Sequence, residues 1–264
     1  MNRQSQPWNH PSESNSPVAL VVGASGGIGS AVVTLLLSKG WSVIAATRRP
    51  EKLRSMLLPL EYPREQLSIF SLDSTSSLSV NSCLDSIMTQ FGHLDGVVHS
   101  VGSILLKPAH LISDEEFEEA LLLNLKTAFY LLRSSTRLMM KQPSGGSILF
   151  CSSVAAERGL INHEGISAAK AGLQGMALAA AATYAPYKIR VNCVAPGLTR
   201  TELTEKLTSN ESILKKSEAM HPLGRIGEPI DIASAIAWFL DPMQSWVTGQ
   251  VLGIDGGLGK LQSR

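Results

Sequence analysis

Short aliphatic runs alternate with longer amphipathic segments along most of this chain. Runs such as VALVV and GVVH are apolar without alternation, which is typical of strands buried on both faces of a sheet. The segments between the runs have the hydrophobic spacing of helices. The pattern predicts seven strands, near residues 18–23, 42–47, 67–72, 95–99, 146–151, 189–194 and 250–254.

Strands that alternate with helices predict an α/β fold. We expect a single-domain, doubly wound parallel sheet of the Rossmann type, with helices on both faces and a ligand beyond the carboxyl ends of the strands. The length of 264 residues suffices for a sizeable core, and we predict one domain over 18–264. Residues 1–17 are polar and contain three prolines, which predicts a disordered tail.

Composition narrows the classes of partner. The formal net charge is +1, without long runs of either sign, which disfavours nucleic acid or an anionic membrane as a partner. No segment approaches the ~20 apolar residues that span a bilayer. Cys83, Cys151 and Cys193 are isolated in the sequence, so we expect neither a metal site nor a disulfide framework, and we expect a reducing compartment.

A glycine-rich turn lies between the first predicted strand and the first predicted helix. Glycines remove side chains where a backbone approaches a diphosphate, and the helix that follows directs its N-terminus toward the phosphates. The alternative is a tight connection without a ligand. The candidate nucleotide contacts are Gly23, Ser25, Gly27, Ile28 and Gly29.

The end of the second predicted strand reads Thr47-Arg48-Arg49 and has no carboxylate. In a nucleotide-binding fold of this kind, a carboxylate here selects NAD(H), whereas a guanidinium can form bidentate contacts with the 2′-phosphate of NADP(H). Arg48 is therefore the candidate contact, and NADPH/NADP is the predicted cofactor. The alternative is that both arginines are ordinary solvated loop residues.

These motifs resemble those of the short-chain dehydrogenase/reductase family over about residues 18–258. The glycine turn is similar to the family's T-G-x-x-x-G-x-G, with Val22 in the threonine place, and the sequence over 99–102 keeps only the glycine of the usual N-N-A-G. The C-terminal part contains the family's P-G-x-x-x-T segment. The resemblance implies further cofactor contacts at Asp73, Gly102, Lys170, Pro196, Gly197 and Thr201.

The resemblance also identifies a catalytic set with one member replaced. Asn124, Ser153 and Lys170 resemble the asparagine of the fourth helix, the serine that orients the substrate carbonyl and the lysine that holds the nicotinamide ribose. The family's tyrosine, four residues before the lysine, is its general acid or base, and Ile166 stands there. Because Lys170 remains in register with Ser153, we interpret this as a substitution.

Each of these residues has an alternative interpretation. His163, three residues before Ile166, is either a substitute acid or a solvated capping residue. Asn124 either serves the site or satisfies backbone groups at a helix irregularity. Ser153 either orients a substrate or caps the end of a strand.

The sequence predicts a partner as well as a cofactor. The segment over 165–185 is small or apolar almost all round, so it needs cover on more than one side. The family resemblance implies an interface through the helices near 113–141 and 165–185, either with a second copy or with a homologous catalytic subunit. The alternative is a helix buried within one subunit.

The segments NHEGISAAKAGL and AAAATYAPYKIRVNCVAPGLTRTEL are similar to an atypical plant group of the same family. That resemblance implies a subunit that pairs with a catalytic subunit in peroxisomes, where NADPH reduces benzoyl-CoA to benzaldehyde. The final residues 262–264 do not form a peroxisomal address, which leaves the cytoplasm as the alternative location. A self-sufficient reductase that uses His163 or water as the acid, and a non-catalytic nucleotide-sensing scaffold, also fit the sequence.

Overall fold

A computed structural model of the chain describes residues 16–57 and 61–262. Most of the tail predicted over 1–17, and the last two residues of the chain, lie outside these ranges. The described residues contain a parallel sheet in the order β3-β2-β1-β4-β5-β6-β7. The strands are β1 Val18–Val22, β2 Ser42–Thr47, β3 Leu67–Ser71, β4 Gly96–His99, β5 Gly146–Cys151, β6 Ile189–Pro196 and β7 Val251–Ile254.

Helices cover both faces of this sheet, which confirms the predicted doubly wound fold. Leu131 and Leu173 pack on one face, and Leu36 and Ile236 pack on the other. The helices are α1 Gly27–Ser38, α2 Pro50–Leu57, α3 Ser77–Phe91, α4 Asp114–Leu121, α5 Thr127–Met139, α6 Glu164–Tyr184, α7 Glu205–Thr208, α8 Glu211–Met220 and α9 Pro229–Leu240.

The two central strands explain why the apolar runs lack alternation. β1 and β4 are buried at every position because helices lie above and below them. β7 forms an edge of the sheet, and its Val251 and Leu252 are exposed. None of the helices within the described ranges is long and apolar enough for a bilayer span.

The helix predicted over 113–141 is interrupted in the middle. A π-helical turn over Leu122–Lys126 separates α4 from α5. Two side chains donate hydrogen bonds to backbone carbonyls at this turn. Asn124 Nδ2 donates to Ala120 O at 2.9 Å, and Thr127 Oγ1 donates to Leu123 O at 3.0 Å. Turns of this kind are often found at functional sites.

Candidate functional site

The glycine turn after β1 is built so closely that side chains do not fit. A Cβ on Gly29 would lie 2.3 Å from the carbonyl oxygen of Gly23, and one on Gly27 would lie 2.7 Å from Thr201 Cγ2. Gly23 has a φ of 90°, and its Cβ would meet the backbone of Ser100 at 2.9 Å. The turn therefore exposes its backbone to the groove beside it.

The N-terminus of α1 opens into the same groove. Its N-cap residue, Gly26, provides no side-chain hydrogen bond, so the amides of the first turn are available for an anion. The groove is a cavity of about 700 Å³ at the switch in strand order between β1 and β4. Its lining brings together the predicted contacts Gly23, Ser25, Gly27, Ile28, Gly29, Arg48, Gly102 and Thr201.

Four predicted cofactor residues do not line this cavity. Asp73 lies between two lining residues, and hydrogen bonds from the Thr75 side chain and backbone lower the pKa of its carboxyl group. Pro196 ends β6, and Gly197 borders a separate cavity near His221. Lys170, the fourth, is buried beside the groove.

The end of β2 is tied to the glycine turn. Ser25 Oγ and Thr47 Oγ1 form a buried hydrogen bond of 2.6 Å, and the backbone amide of Arg49 donates to Thr47 Oγ1 at 3.0 Å. The side chain of Arg48 is exposed at the lining of the cavity. Both arginines therefore lie where the sequence predicts a 2′-phosphate contact.

A carboxylate reaches this end of the groove from elsewhere in the chain. Glu202 follows Thr201 and pairs with Arg49 Nη1 at 3.4 Å and with the ammonium group of Lys52. The hydrogen bond from Lys52 and the charges of Lys52 and Arg49 lower the pKa of Glu202, so it is ionised at neutral pH. Sequence reasoning missed Lys52 and Glu202, since no local motif marks them.

Lys170, Asn124 and Gly102 meet at the carboxyl ends of the strands. Lys170 Nζ donates to the carbonyl oxygen of Cys151 at 2.8 Å, and burial lowers the pKa of its ammonium group. A Cβ on Gly102 would lie 2.9 Å from Asn124 Oδ1 and 3.4 Å from Lys170 Nζ. The glycine retained from the N-N-A-G motif is thus the residue whose lack of a side chain allows this contact.

Asn124 and Ser153 both have local structural roles. Asn124 Oδ1 accepts from the Ser103 amide at 3.1 Å, and Nδ2 donates to Ser103 Oγ and to Ala120 O. Ser153 Oγ accepts from the Ala155 amide at 3.2 Å, which leaves its hydroxyl hydrogen for another acceptor. The alternative interpretations of both residues describe real contacts, and these contacts still allow Ser153 to donate to a substrate oxygen.

His99 is a buried neutral residue in this region. Its Nε2 lies 2.9 Å from Thr127 Oγ1, and because the Thr127 hydroxyl donates to Leu123 O, the imidazole must donate through Nε2–H. Burial, and then the charge of Lys170, lower the pKa of His99 to about 3. It stands where an amide is usual in the motif and contributes no positive charge near neutral pH.

Ile166 is buried, 5% exposed, on the same helix as Lys170.

All four tyrosines fall within the described residues, and none lines the cavity. Two of them, Tyr62 and Tyr187, precede β3 and β6 and so lie at the amino-terminal ends of the strands. Ser153 follows β5 and lies at the opposite, carboxyl ends. Tyr184 lies about 20 Å along α6 from Lys170 at 1.5 Å per residue. The fourth, Tyr130, packs against the core beside Arg133.

His163 is the N-cap residue of α6 and lies one turn before Ile166. Its Nδ1 lies 2.7 Å from the carbonyl oxygen of Ile161, which can only accept, so Nδ1 carries the hydrogen. The neutral ring therefore presents a lone pair at Nε2, and only the imidazolium could donate a proton there. The spacings of three and four residues place His163, Ile166 and Lys170 on one face of the helix.

The outward face of α6 is made of small and apolar side chains. Leu178 is 62% exposed, and a Cβ on Gly175 would have no neighbour within 4 Å. On the adjoining α5, Phe129 is 45% exposed. We call this outward strip the α6 face, and it consists of Ala168, Ala171, Gly172, Gly175, Leu178, Ala179 and Ala182.

Comparison with known proteins finds relatives that match almost the whole chain. A family profile described as "Enoyl-(Acyl carrier protein) reductase" matches residues 23–259. The chain is 34% identical over 243 residues to the 3-oxoacyl-[acyl-carrier-protein] reductase FabG of Thermotoga maritima, covering 91% of this chain and 97% of the relative. It is 33% identical over 240 residues to a tropinone reductase homologue of Arabidopsis thaliana, covering 90% of each.

Solved structures agree with the sequence relatives. The structure of ElxO with NADP bound superimposes with a TM-score of 0.86 at 27% identity, covering 92% of this chain and 98% of ElxO. A tyrosine-to-phenylalanine variant of ElxO has been solved with NADPH bound.

Proposed function

The chain belongs to the short-chain dehydrogenase/reductase family, and on that premise we propose that it is a subunit of a heteromeric NADPH-dependent reductase and has no catalytic acid of its own. One observation carries the proposal. Ile166 occupies the helical position four residues before Lys170, and a hydrocarbon cannot protonate a carbonyl oxygen. The remaining scaffold is complete enough to bind a nucleotide and to pair with another subunit.

The proposed cofactor is NADPH. The glycine turn and the uncapped N-terminus of α1 provide a cradle for the diphosphate, and Arg48 and Arg49 lie at the ribose end. When bound, the cofactor supplies the hydride. By its resemblance to the family's lysine, Lys170 would hold the nicotinamide ribose, and Ser153 can donate its hydroxyl hydrogen to a substrate oxygen. Without a phenol, Lys170 has no acid whose pKa it could lower.

The proposed substrate is an aromatic acyl-CoA such as benzoyl-CoA. Apolar side chains of Ile104, Leu106 and Leu203 line the groove and are exposed, so they can receive an apolar group. Hydride adds to the thioester carbonyl carbon, and a donor of the catalytic subunit stabilises the resulting oxyanion. The carbon–oxygen double bond then re-forms as the carbon–sulfur bond breaks, and the thiolate takes a proton from water and leaves as coenzyme A, which yields the aldehyde. The resemblance to the plant benzaldehyde synthase β subunit supports this choice and a peroxisomal location.

The proposed partner is a homologous catalytic subunit that packs on the α6 face. Close packing of helix backbones is possible there because the residues are alanine and glycine. The exposed Leu178 and Phe129 add apolar area that water leaves on association. A second copy of this chain could use the same face.

The proposal is tested by supplying the missing phenol. We expect the isolated chain to bind NADPH and to oxidise it negligibly with benzoyl-CoA, and a copurified partner subunit to restore turnover. The variant Ile166→Tyr should raise turnover of the isolated chain by ~10² or more over Ile166→Phe, which adds the ring without the hydroxyl. Robust turnover by the unmodified isolated chain would contradict the proposal, and binding without turnover in every combination would indicate a nucleotide-sensing scaffold.

The placement of His163 favours a second candidate function, a self-sufficient reductase. His163 lies on the same helical face as Ile166 and Lys170, with Nδ1 bonded to Ile161 O, so its imidazolium could donate through Nε2. Under this candidate, His163→Ala should reduce turnover by ~10² to 10⁴, whereas the exposed control His110→Ala should leave it unchanged.

A further inference from the structure

An ion-pair bridge joins two segments of the chain that line the nucleotide groove. Arg49 and Lys52 belong to the segment that follows β2, and Glu202 belongs to the segment that follows β6. Glu202 Oε1 pairs with Arg49 Nη1 at 3.4 Å, and Oε2 pairs with the Lys52 ammonium. About 150 residues of chain separate the partners, so the bridge is a product of the tertiary structure.

The bridge lies far from the position of hydride transfer. β2 is three strands away from β5 in the sheet, which corresponds to about 14 Å at the usual strand spacing. Ser153 follows β5, whereas Arg49 lies at the ribose end beside Thr47. The bridge therefore bears on nucleotide recognition and takes no part in the chemical step.

The segment that bears Glu202 is held firmly against the phosphate turn. Thr201 packs its Cγ2 where a Cβ on Gly27 would lie, and Thr204 Oγ1 donates to Thr199 O at 2.6 Å. Glu202 and its neighbour Leu203 line the same cavity as Arg48 and Arg49. The carboxylate is thus fixed at the mouth of the groove by its backbone, and only its side chain needs to move.

We infer that Glu202 and Lys52 determine how strongly the groove selects a 2′-phosphorylated nucleotide. The Glu202 carboxylate pairs with both Arg49 and Lys52. A 2′-phosphate has a charge of about −1.5 to −2 and three acceptor oxygens, so it replaces the single negative charge of the carboxylate on both cations. Glu202 then turns away, and Lys52 becomes a third basic contact beside Arg48 and Arg49.

This inference rests on the proposed NADPH site and is independent of the substrate and the partner subunit. It predicts opposite effects of two substitutions on NADP(H), with little effect on NAD(H), which has no phosphate at that position. Glu202→Gln removes the competing charge and should tighten NADPH binding about fivefold, the scale of an exposed ion pair. Lys52→Ala should weaken NADPH binding about fivefold or more.

The experiment measures dissociation constants of the isolated full chain for NADPH, NADH, 2′-AMP and 5′-AMP by calorimetry. Glu118→Gln is the matched control, because Glu118 is exposed on α4, does not line the cavity and forms no ion pair within the described residues. The control should leave all four constants unchanged. Thermal unfolding of each variant verifies that it is folded.

The outcomes separate this inference from the proposed function. Tighter NADPH and 2′-AMP binding by Glu202→Gln, with unchanged NADH and 5′-AMP, supports it even if the chain has no turnover with any partner. An unchanged or weaker affinity for 2′-AMP in Glu202→Gln, or equal tightening of NADH, overturns it. Failure of the parent chain to bind any of the four nucleotides would overturn both the inference and the proposed cofactor.

Discussion

At the scale of single residues, the burial of His99 makes the free energy of unfolding depend on pH. Burial lowers its pKa from 6.5 to about 3 in the folded chain, whereas in the unfolded chain it titrates near its ordinary value. The unfolded state therefore binds one proton more than the folded state between these two values. The contribution of His99 to the free energy of unfolding is therefore fully present above pH 6.5 and is lost as pH falls.

This difference predicts that the free energy of unfolding falls by about 2 kcal/mol between pH 7 and pH 5 on account of His99. Urea unfolding of the parent chain and of His99→Asn at both pH values measures the effect, since the variant lacks the titrating group and should lose less stability. The exposed His110→Asn should behave like the parent. Parallel losses in the parent and His99→Asn would contradict the assignment.

Residues also show which features a local motif can indicate. Ile166 four residues before Lys170, and the glycine at 102, can be read from the sequence because the motif around them is local and in register. That Ile166 replaces a catalytic tyrosine stays a prediction. The neutral state of His99 cannot be predicted from the sequence, because it depends on Thr127 and on complete burial by elements distant in the chain.

At the scale of elements, the connection from β1 to α1 has no space for a methyl group. A Cβ on Gly29 would lie 2.3 Å from Gly23 O, so Gly29→Ala must displace the backbone of the glycine turn. We expect the variant to lose about 1–3 kcal/mol of stability, as overpacked sites do, and to bind NADPH at least tenfold more weakly. Urea unfolding and calorimetric titration measure the two effects.

The control is Gly159→Ala. A Cβ there would have no neighbour within 4 Å, and its φ is not in the left-handed region. This variant should keep the parent's affinity for NADPH. If Gly29→Ala also keeps it, the turn does not hold the diphosphate.

The seven strand ranges followed from the apolar runs to within two residues, whereas the interruption of the helical segment over 113–141 did not. At the interruption between α4 and α5, Asn124 and Thr127 bond to carbonyl groups one turn earlier, and these contacts cannot be read from periodicity. The same contacts place Asn124 against Gly102.

At the scale of the whole molecule, the α6 face predicts association. Gly175 has open space around its Cα in the single chain, so Gly175→Arg should fold, and it should block close packing of a second subunit. Sedimentation of the parent and of Gly175→Arg, each with the candidate partner, should show loss of the assembly in the variant. Ala219→Arg on the exposed side of α8 is the control and should assemble normally. An intact assembly in Gly175→Arg would place the interface elsewhere.

The sequence by itself determined the local features of this protein. Apolar runs, helical spacing and the glycine turn depend on neighbouring residues, so they were sufficient to predict the strands and the fold, and they indicate a nucleotide site that stays a prediction. The absence of a tyrosine four residues before Lys170 is equally local.

Only the tertiary structure decided which residues from distant segments of the chain contact one another. It brings Glu202 to Arg49 and Lys52 across the groove, fits Gly102 between Asn124 and Lys170, and leaves the α6 face uncovered in the single chain. The physical reason is that pairing of charges, burial and close approach depend on distances between segments far apart in the chain. Those distances follow from how the helices pack on the sheet, and no local pattern of residues encodes them.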